Sequence, residues 1–475
     1  MEVNCLKEKL EKFNQVHLLR FWDKISDQEK STLFKDILEL DLQEVTSYFA
    51  KSLISIKANR ESLDSKIQPI PENIFESIYS STEEKLEQYE LTGLKEISEG
   101  RVAILLLAGG QGTRLGVNYP KGMYDVGLPS HSTLFRLQAL RIRKLQELAE
   151  EKFKKHGQIT WYIMTSEATH ETTLVYFEKN DYFGLKKENI RAFKQEMLPC
   201  FTFDGKIILD EKYHISKAPD GNGGLYRALK MQGILENMTK RGINSVHVFS
   251  VDNILVKVAD PVFLGFCLSR SADCGVKVVP KRSPNEAVGV VCQVEGQYRV
   301  VEYSEITSTT AELRNNDGEL VFNAGNICNH YFTLDFLCAV GNEHEGELDL
   351  HVAKKKIPYV NEKGIKVIPT SPNGIKVEKF VFDVFKFAKN FAVWETIREC
   401  EFSALKNPDV AGFDCPSTVR KDLMSLQKKW LINAGALSVN GDVEISPLLS
   451  YAGENLEKMS KGKHIHGPVV LSSHL

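Results

Sequence analysis

Long apolar runs are missing from this chain. The longest, such as Val102–Ala108, fall far short of the about 18–20 residues a helix needs to span a bilayer. The opening residues Met1-Glu-Val-Asn-Cys-Leu-Lys7 mix charges and lack the apolar centre of a secretory leader. The expectation is a cytoplasmic protein with no membrane partner. Charge of one sign is also scarce: 60 Lys and Arg against 63 Asp and Glu leave a formal net charge of −3. No basic excess is available to hold nucleic acid, so any phosphate ligand must be held by local charge. The nine cysteines are scattered and form no C-x-x-C pair. That argues against a disulfide framework or a structural zinc site. His464-Ile-His466 has no third ligand nearby and reads as surface. Internal repeats and low-complexity tracts are absent too.

What remains is the composition of a soluble globular protein. Of 475 residues, 42% are hydrophobic and 26% charged, enough for two or three domains. Residues 1–97 have helical spacing, as in Leu6, Leu10 and Phe13 or Leu33 and Ile37, and predict a helical N-terminal domain. From 98 to 385, short apolar runs alternate with helical stretches. Strands are expected at Val102–Ala108, Thr160–Thr165, Val246–Ser250, Gly275–Val279 and Val288–Val294, with helices at Thr133–Glu150 and Gly224–Asn237. This alternation predicts an α/β fold with a mostly parallel sheet, whose ligands bind at the carboxyl ends of the strands. Residues 386–475 read as a small, partly β C-terminal domain.

The most chemically informative stretch is Ile104-Leu-Leu-Leu-Ala-Gly-Gly-Gln-Gly-Thr-Arg-Leu-Gly116, followed by Tyr119-Pro-Lys-Gly122. An apolar strand enters a glycine-rich turn, where backbone N–H groups can approach a ligand closely. Arg114 and Lys121 add positive charge beside them. A P-loop would need a Gly-Lys-Ser/Thr ending; here Pro120 precedes Lys121 and Gly122 follows it. A dinucleotide fingerprint would need a third glycine at Leu115. A nucleotidyltransferase-like phosphate loop fits better than either.

Four other segments join it. Ala218-Pro-Asp-Gly-Asn-Gly-Gly-Leu225 is a tight polar turn on which a flat base can lie, with Asn222 offering hydrogen bonds. Val248-Phe-Ser-Val-Asp252 ends a strand in a carboxylate suited to hold Mg²⁺ against phosphate oxygens, although a turn or cap role is also open. Gly289, Glu302, Tyr303 and Asn326 lie at strand ends and suit sugar hydroxyls or an acetamido group, or else are solvated edges. Lys376 and Lys406 sit in loops, where several anionic groups would need them.

Leu107–Gly116 with Tyr119–Tyr124, and Pro219–Gly224, resemble the uridine triphosphate loop and the uracil and sugar loop of eukaryotic, animal-type UDP-N-acetylhexosamine pyrophosphorylases. The resemblance covers nearly the whole chain; UDP-glucose pyrophosphorylases match less well. It implies a central Rossmann-like, glycosyltransferase A-like nucleotidyltransferase domain between smaller terminal domains. It also implies that UTP and N-acetylglucosamine 1-phosphate, or the N-acetylgalactosamine isomer, give the UDP-sugar and pyrophosphate with Mg²⁺ or Mn²⁺. Carried over by motif, Leu107, Ala108, Gly109, Gly110, Gln195 and Gly221 bind the nucleotide. Arg114 and Lys121 are catalytic, facing the triphosphate, Asp252 holds the metal and Lys376 reaches the nucleotide phosphates. Asn222, Gly289, Glu302, Tyr303 and Asn326 contact the amino sugar, and Lys406 its phosphate. A homodimer is compatible with the resemblance. The short segment after Asn433-Ala-Gly-Ala436 departs from the family pattern, so C-terminal assembly contacts do not carry over. Two alternatives stay open: a pyrophosphorylase for another sugar 1-phosphate, and a non-catalytic nucleotide-sugar-binding regulatory protein.

Overall fold

The structure, a computed structural model, describes residues 3–57 and 63–472. Contacts divide the chain into two compact units. The smaller comprises Met1–Ser62, Gln195–Arg227 and Glu345–Asp383; the larger comprises Leu63–Lys194, Ala228–His344 and Val384–Leu475. These cuts do not coincide with boundaries at 97 and 385. The reason lies in which apolar faces find each other.

In the larger unit the main sheet path uses eight strands: β1 (Phe75–Ser77), β2 (Val102–Leu107), β3 (Thr160–Thr165), β4 (Ile190–Lys194), β5 (Ser245–Ser250), β6 (Cys274–Pro280), β7 (Ala324–Thr333) and β8 (Phe391–Glu395). Their spatial order is β1-β8-β6-β7-β5-β2-β3-β4. β7 runs antiparallel to its neighbours β5 and β6, while the other pairings on this path are parallel. Every residue of β2 and β3 is buried, as expected for parallel strands covered on both faces. Each fully buried aliphatic side chain of this kind contributes about 1.5–3 kcal/mol. Helix Leu134–Phe153 starts where the Thr133 side chain accepts the Arg136 N–H and ends at Lys154 in a left-handed conformation. It supplies Phe135, Ala139, Ile142 and Leu145 to the core around Ile104, Trp161 and Phe249. Residues 63–98 belong to this unit because Phe75–Ser77 joins the sheet and helix Glu83–Ser98 places Tyr89 and Ile97 in the same core. The reading of 1–97 as helical therefore misses two short strands, Ile67–Gln68 and Phe75–Ser77.

The expected helix Gly224–Asn237 is also two helices, Leu225–Met231 and Ile234–Lys240, broken at Gly233 with φ 65°. Residues 416–471 contribute helix Pro416–Asn433 and two short parallel strand pairs, 438–440 with 464–466 and 443–445 with 469–471.

In the smaller unit, N-terminal helices place Leu6, Leu10, Leu33 and Ile37 against Phe201, Ile207, Ile215 and Ile375. The apolar stripes read from the first helices thus face strands that arrive far later in the sequence.

Candidate active site

Within the larger unit the glycine loop starts at the carboxyl end of β2. Leu107 and Ala108 are 7% and 1% exposed, and Gly110 and Arg114 are exposed. A short turn at Thr113–Leu115 closes on Gly116, whose φ of 80° requires glycine. The chain then returns alongside itself. Gly112 N–H donates to Tyr119 O at 3.0 Å, and Lys121 N–H donates to Gly110 O at 3.2 Å. This return explains the spacing between the glycines and the lysine, because it places Lys121 beside Gly110.

β5 is in register with β2, pairing Ser250 with Leu107, so Asp252 emerges at the same sheet edge as the loop. The Lys121 ammonium lies 4.0 Å from the Asp252 carboxylate, and both side chains are mostly buried. Lys121 Nζ also donates to Leu405 O at 3.1 Å, and Leu405 N–H donates to Asp252 O at 2.8 Å, which brings Lys406 to the same edge. Burial pushes the Lys121 pKa below its ordinary value; Asp252 opposes this, and the charges of Lys406 and Arg114 add to it. Three cations therefore converge near one carboxylate, an arrangement that an incoming polyanion would relieve.

Gly289, Glu302 and Asn326 are also brought together. The hairpin Val290–Val294/Gln297–Val301 pairs Val290 with Val301, which sets Gly289 opposite Glu302. A Cβ on Gly289 would lie 2.7 Å from Val300 and 3.1 Å from a Glu302 carboxylate oxygen. Asn326 N–H donates to Gly289 O at 2.8 Å. Tyr303 is 50% exposed beside them in sequence. Asn326 stands where β7 bulges: Val276 pairs with His330 but Val278 with Asn326. Cys328 within the bulge has φ 53°, and its N–H donates to Asn326 Oδ1 at 3.1 Å. Burial, with Asp252 adding to it, pushes the Cys328 thiol up to about 12, so it is no nucleophile at neutral pH.

In the smaller unit, strand Lys217–Pro219 pairs with Met197–Pro199, and Asp220 N–H donates to Glu196 O at 3.2 Å, leading the chain back toward Gln195. Gly221 and Gly223 lie on the backbone of Lys379, which donates its N–H to Asp220 O and accepts the Gly223 N–H. Lys376 stands three residues earlier in strand Gly374–Glu378. Asn222 Oδ1 accepts the Val381 N–H at 2.9 Å, so its oxygen holds a turn and its Nδ2 is the end left for a ligand.

Among the described residues no group of three or more His, Cys, Asp or Glu could hold a metal by itself. A carboxylate such as Asp252 at a strand end fits Mg²⁺, which binds through one or two carboxylates, waters and substrate phosphates. The same donor set does not fit structural zinc. The sequence motifs gave no role to Cys328 or Lys379. They are marked only by distant pairing, which no local pattern signals.

A family model described as UTP--glucose-1-phosphate uridylyltransferase matches residues 43–460. The chain is 50% identical over 490 residues to UDP-N-acetylhexosamine pyrophosphorylase-like protein 1 of Xenopus tropicalis, covering 98% of this chain and 96% of that one. It is 41% identical over 483 residues to UDP-N-acetylglucosamine diphosphorylase 2 of Arabidopsis thaliana, covering 98% and 94%. The crystal structure of the uridine diphosphate N-acetylglucosamine pyrophosphorylase of Trypanosoma brucei with an inhibitor matches with a TM-score of 0.85 at 30% identity, covering 100% of this chain and 99% of that one. The chain belongs to the UTP–glucose-1-phosphate uridylyltransferase family, as a nucleotidyltransferase grouped with the UDP-N-acetylhexosamine pyrophosphorylases.

Proposed function

We propose that this chain transfers a uridylyl group from UTP to an N-acetylhexosamine 1-phosphate. A phosphate oxygen of the sugar 1-phosphate attacks the α-phosphorus of UTP in line. The new P–O bond forms as the bond to the oxygen bridging the α- and β-phosphorus breaks. Pyrophosphate leaves with that electron pair, and UDP-N-acetylhexosamine remains. The nucleophile is already an anion, so no general base is needed. The difficulty is bringing two polyanions together, and the observation that supports this reading is the convergence of Lys121 and Lys406 with Asp252 beside the Arg114 loop.

Arg114 and Lys121 would face the triphosphate, with Lys121 oriented before it arrives by its Gly110 and Leu405 contacts. Backbone N–H groups of Ala108–Gly110 would line the nucleotide. Glu302 and Asn326 would take the acetamido group and hydroxyls, with Gly289 leaving them room. Asp252 would hold Mg²⁺ or Mn²⁺. Such an ion, when bound, neutralises developing charge on phosphate oxygens. Gln195, Gly221, Asn222 and Lys376 receive their nucleotide and sugar roles from motif alone. A cytoplasmic site of action belongs to the same reading; among the described residues no helix is long and apolar enough to cross a membrane.

The test is pyrophosphate release from UTP with Mg²⁺ and a panel of sugar 1-phosphates. Release with N-acetylglucosamine or N-acetylgalactosamine 1-phosphate supports the proposal. Release only with another sugar 1-phosphate replaces its substrate, and release with none makes the chain a binder.

A further inference from the structure

Asp252 and Lys406 lie far apart in sequence, yet on the uridylyltransferase reading their relative position would set where a sugar phosphate sits. Asn253, the residue between Asp252 and the buried Ile254, has no part in the chemistry above. It is 4% exposed, and its side-chain amide is engaged at both the nitrogen and the oxygen. Nδ2 donates to Glu401 O at 2.7 Å. Oδ1 accepts the Ser403 N–H at 3.0 Å and the Leu255 N–H at 3.2 Å. The backbones meet at the same place: Asn253 bridges Ala404 in antiparallel fashion, Ile254 N–H donates to Ser403 O at 3.0 Å, and Leu405 N–H donates to Asp252 O at 2.8 Å.

The segment held in this way is anchored at both ends. At one end the Glu401 carboxylate is buried against Lys277, Lys257 and Thr396 Oγ1, with Asp260 as the second acid on Lys277. Burial works against that charge, but Lys277 and Lys257 outweigh it and hold the Glu401 carboxyl well below the usual range. At the other end Lys406 N–H donates to Asp414 O at 2.7 Å. Asn253 spans the stretch between. Its amide pairs a donor for one carbonyl with an acceptor for two N–H groups, a combination that Asp or Leu cannot supply.

We infer that Asn253 is a positioning residue that docks the Lys406 segment onto the Asp252 loop and so fixes where the sugar phosphate is received. The inference rests on the uridylyltransferase reading for its consequence, and on geometry alone for the docking itself.

Steady-state pyrophosphate release by the full chain tests it, with each substrate varied in turn for wild type, Asn253→Ala, Lys406→Ala and the double variant. Asn253→Ala should raise KM for N-acetylglucosamine 1-phosphate about tenfold, as expected for a lost contact to a charged group, and raise KM for UTP by clearly less, because Lys121 keeps its Gly110 contact when Leu405 loosens. The double variant should be no worse than Lys406→Ala, because nothing is then left to position. Additive losses, or a loss falling equally on both substrates, would overturn the inference. If Asn253→Ala does not fold, Asn253→Ser keeps one acceptor and should show the same split at smaller size; an unchanged KM would overturn it. Hydrogen exchange reads the docking independently of turnover. Ser403 and Leu405 N–H groups should lose protection in the Asn253 variant and keep it in Lys406→Ala. Unchanged protection in the Asn253 variant would overturn the inference, whereas a wild type silent on every sugar phosphate counts against the function alone.

Discussion

Two glycine-rich loops in this chain use glycine for opposite reasons. In the Leu107–Lys121 loop, a Cβ on Gly110 or Gly116 would meet nothing within 4 Å, although one on Gly112, where the loop turns back on itself, would lie 2.3 Å from Val117. In the Pro219–Gly224 loop, a Cβ would lie 2.3 Å from Lys379 O at Gly221, 2.6 Å from Lys379 C at Gly223 and 2.0 Å from the Asp220 carboxylate at Gly224. The first loop leaves space on its open side, where a ligand can come against backbone N–H groups. The second has no spare space because its glycines let two stretches of backbone touch. Similar composition thus encodes a surface for chemistry in one loop and a packing joint in the other.

The largest expected effect follows from the first loop. Arg114→Ala and Lys121→Ala should each lower turnover by about 10²–10³ while leaving the melting temperature near wild type. A wild-type rate in both would end the assignment. Lys121 adds a pH signature. Burial and the nearby cations depress its pKa in the free protein, so kcat/KM should fall on the alkaline side at a lower pH than an ordinary lysine would allow. Bound phosphates favour the ammonium, so the corresponding limb of kcat should lie at higher pH. Coincident limbs would mean that Lys121 does not meet the phosphates.

The second prediction contrasts the loops directly. Gly223→Ala forces a methyl group into backbone and should destabilise by about 1–3 kcal/mol in chemical denaturation. Gly110→Ala should change stability by less than about 0.5 kcal/mol and instead raise KM for UTP. Equal stability losses would erase the distinction.

A third, smaller expected effect concerns the β7 bulge. Cys328→Val places a β-branched residue at positive φ and should cost about 1–2 kcal/mol, with Cys328→Gly milder in the same melt. A harmless valine would show that the backbone there relaxes freely.

Legibility in the sequence divides along similar lines. The β2 strand, its glycine turn, Lys121 and the strand-end Asp252 were readable because each is a contiguous pattern with a local physical reason. The pairing of β2 with β5 then joins them without further information. The docking of Asn253 onto 401–405 and the bulge at Cys328 were not readable, because both depend on strand register set by residues far apart in sequence. The division into two contact units was not readable for a related reason. The stripe of Leu6, Leu10, Leu33 and Ile37 tells that a helix face is buried, but not that Phe201 and Ile375 cover it.

Asp220 sharpens the comparison from the packing side. Its side chain is 2% exposed, and Oδ1 has no hydrogen-bond partner. Burial raises the carboxyl from 3.8 to about 7; Lys379 opposes this and Glu196 adds to it. Below the unfolded value both states are protonated and there is no penalty. As pH rises toward 7 the unfolded chain ionises while the folded loop keeps its proton, so stability falls, and above about 7 the loss levels off. Asp220→Asn cannot ionise. Its stability advantage over wild type should be small at about pH 4 and grow by up to about 4 kcal/mol by about pH 8. An advantage that does not change with pH would mean that Lys379 keeps Asp220 ionised in the fold. In that case the Pro219–Gly224 loop would be held by an ion pair as well as by the close approach of backbone that its glycines allow.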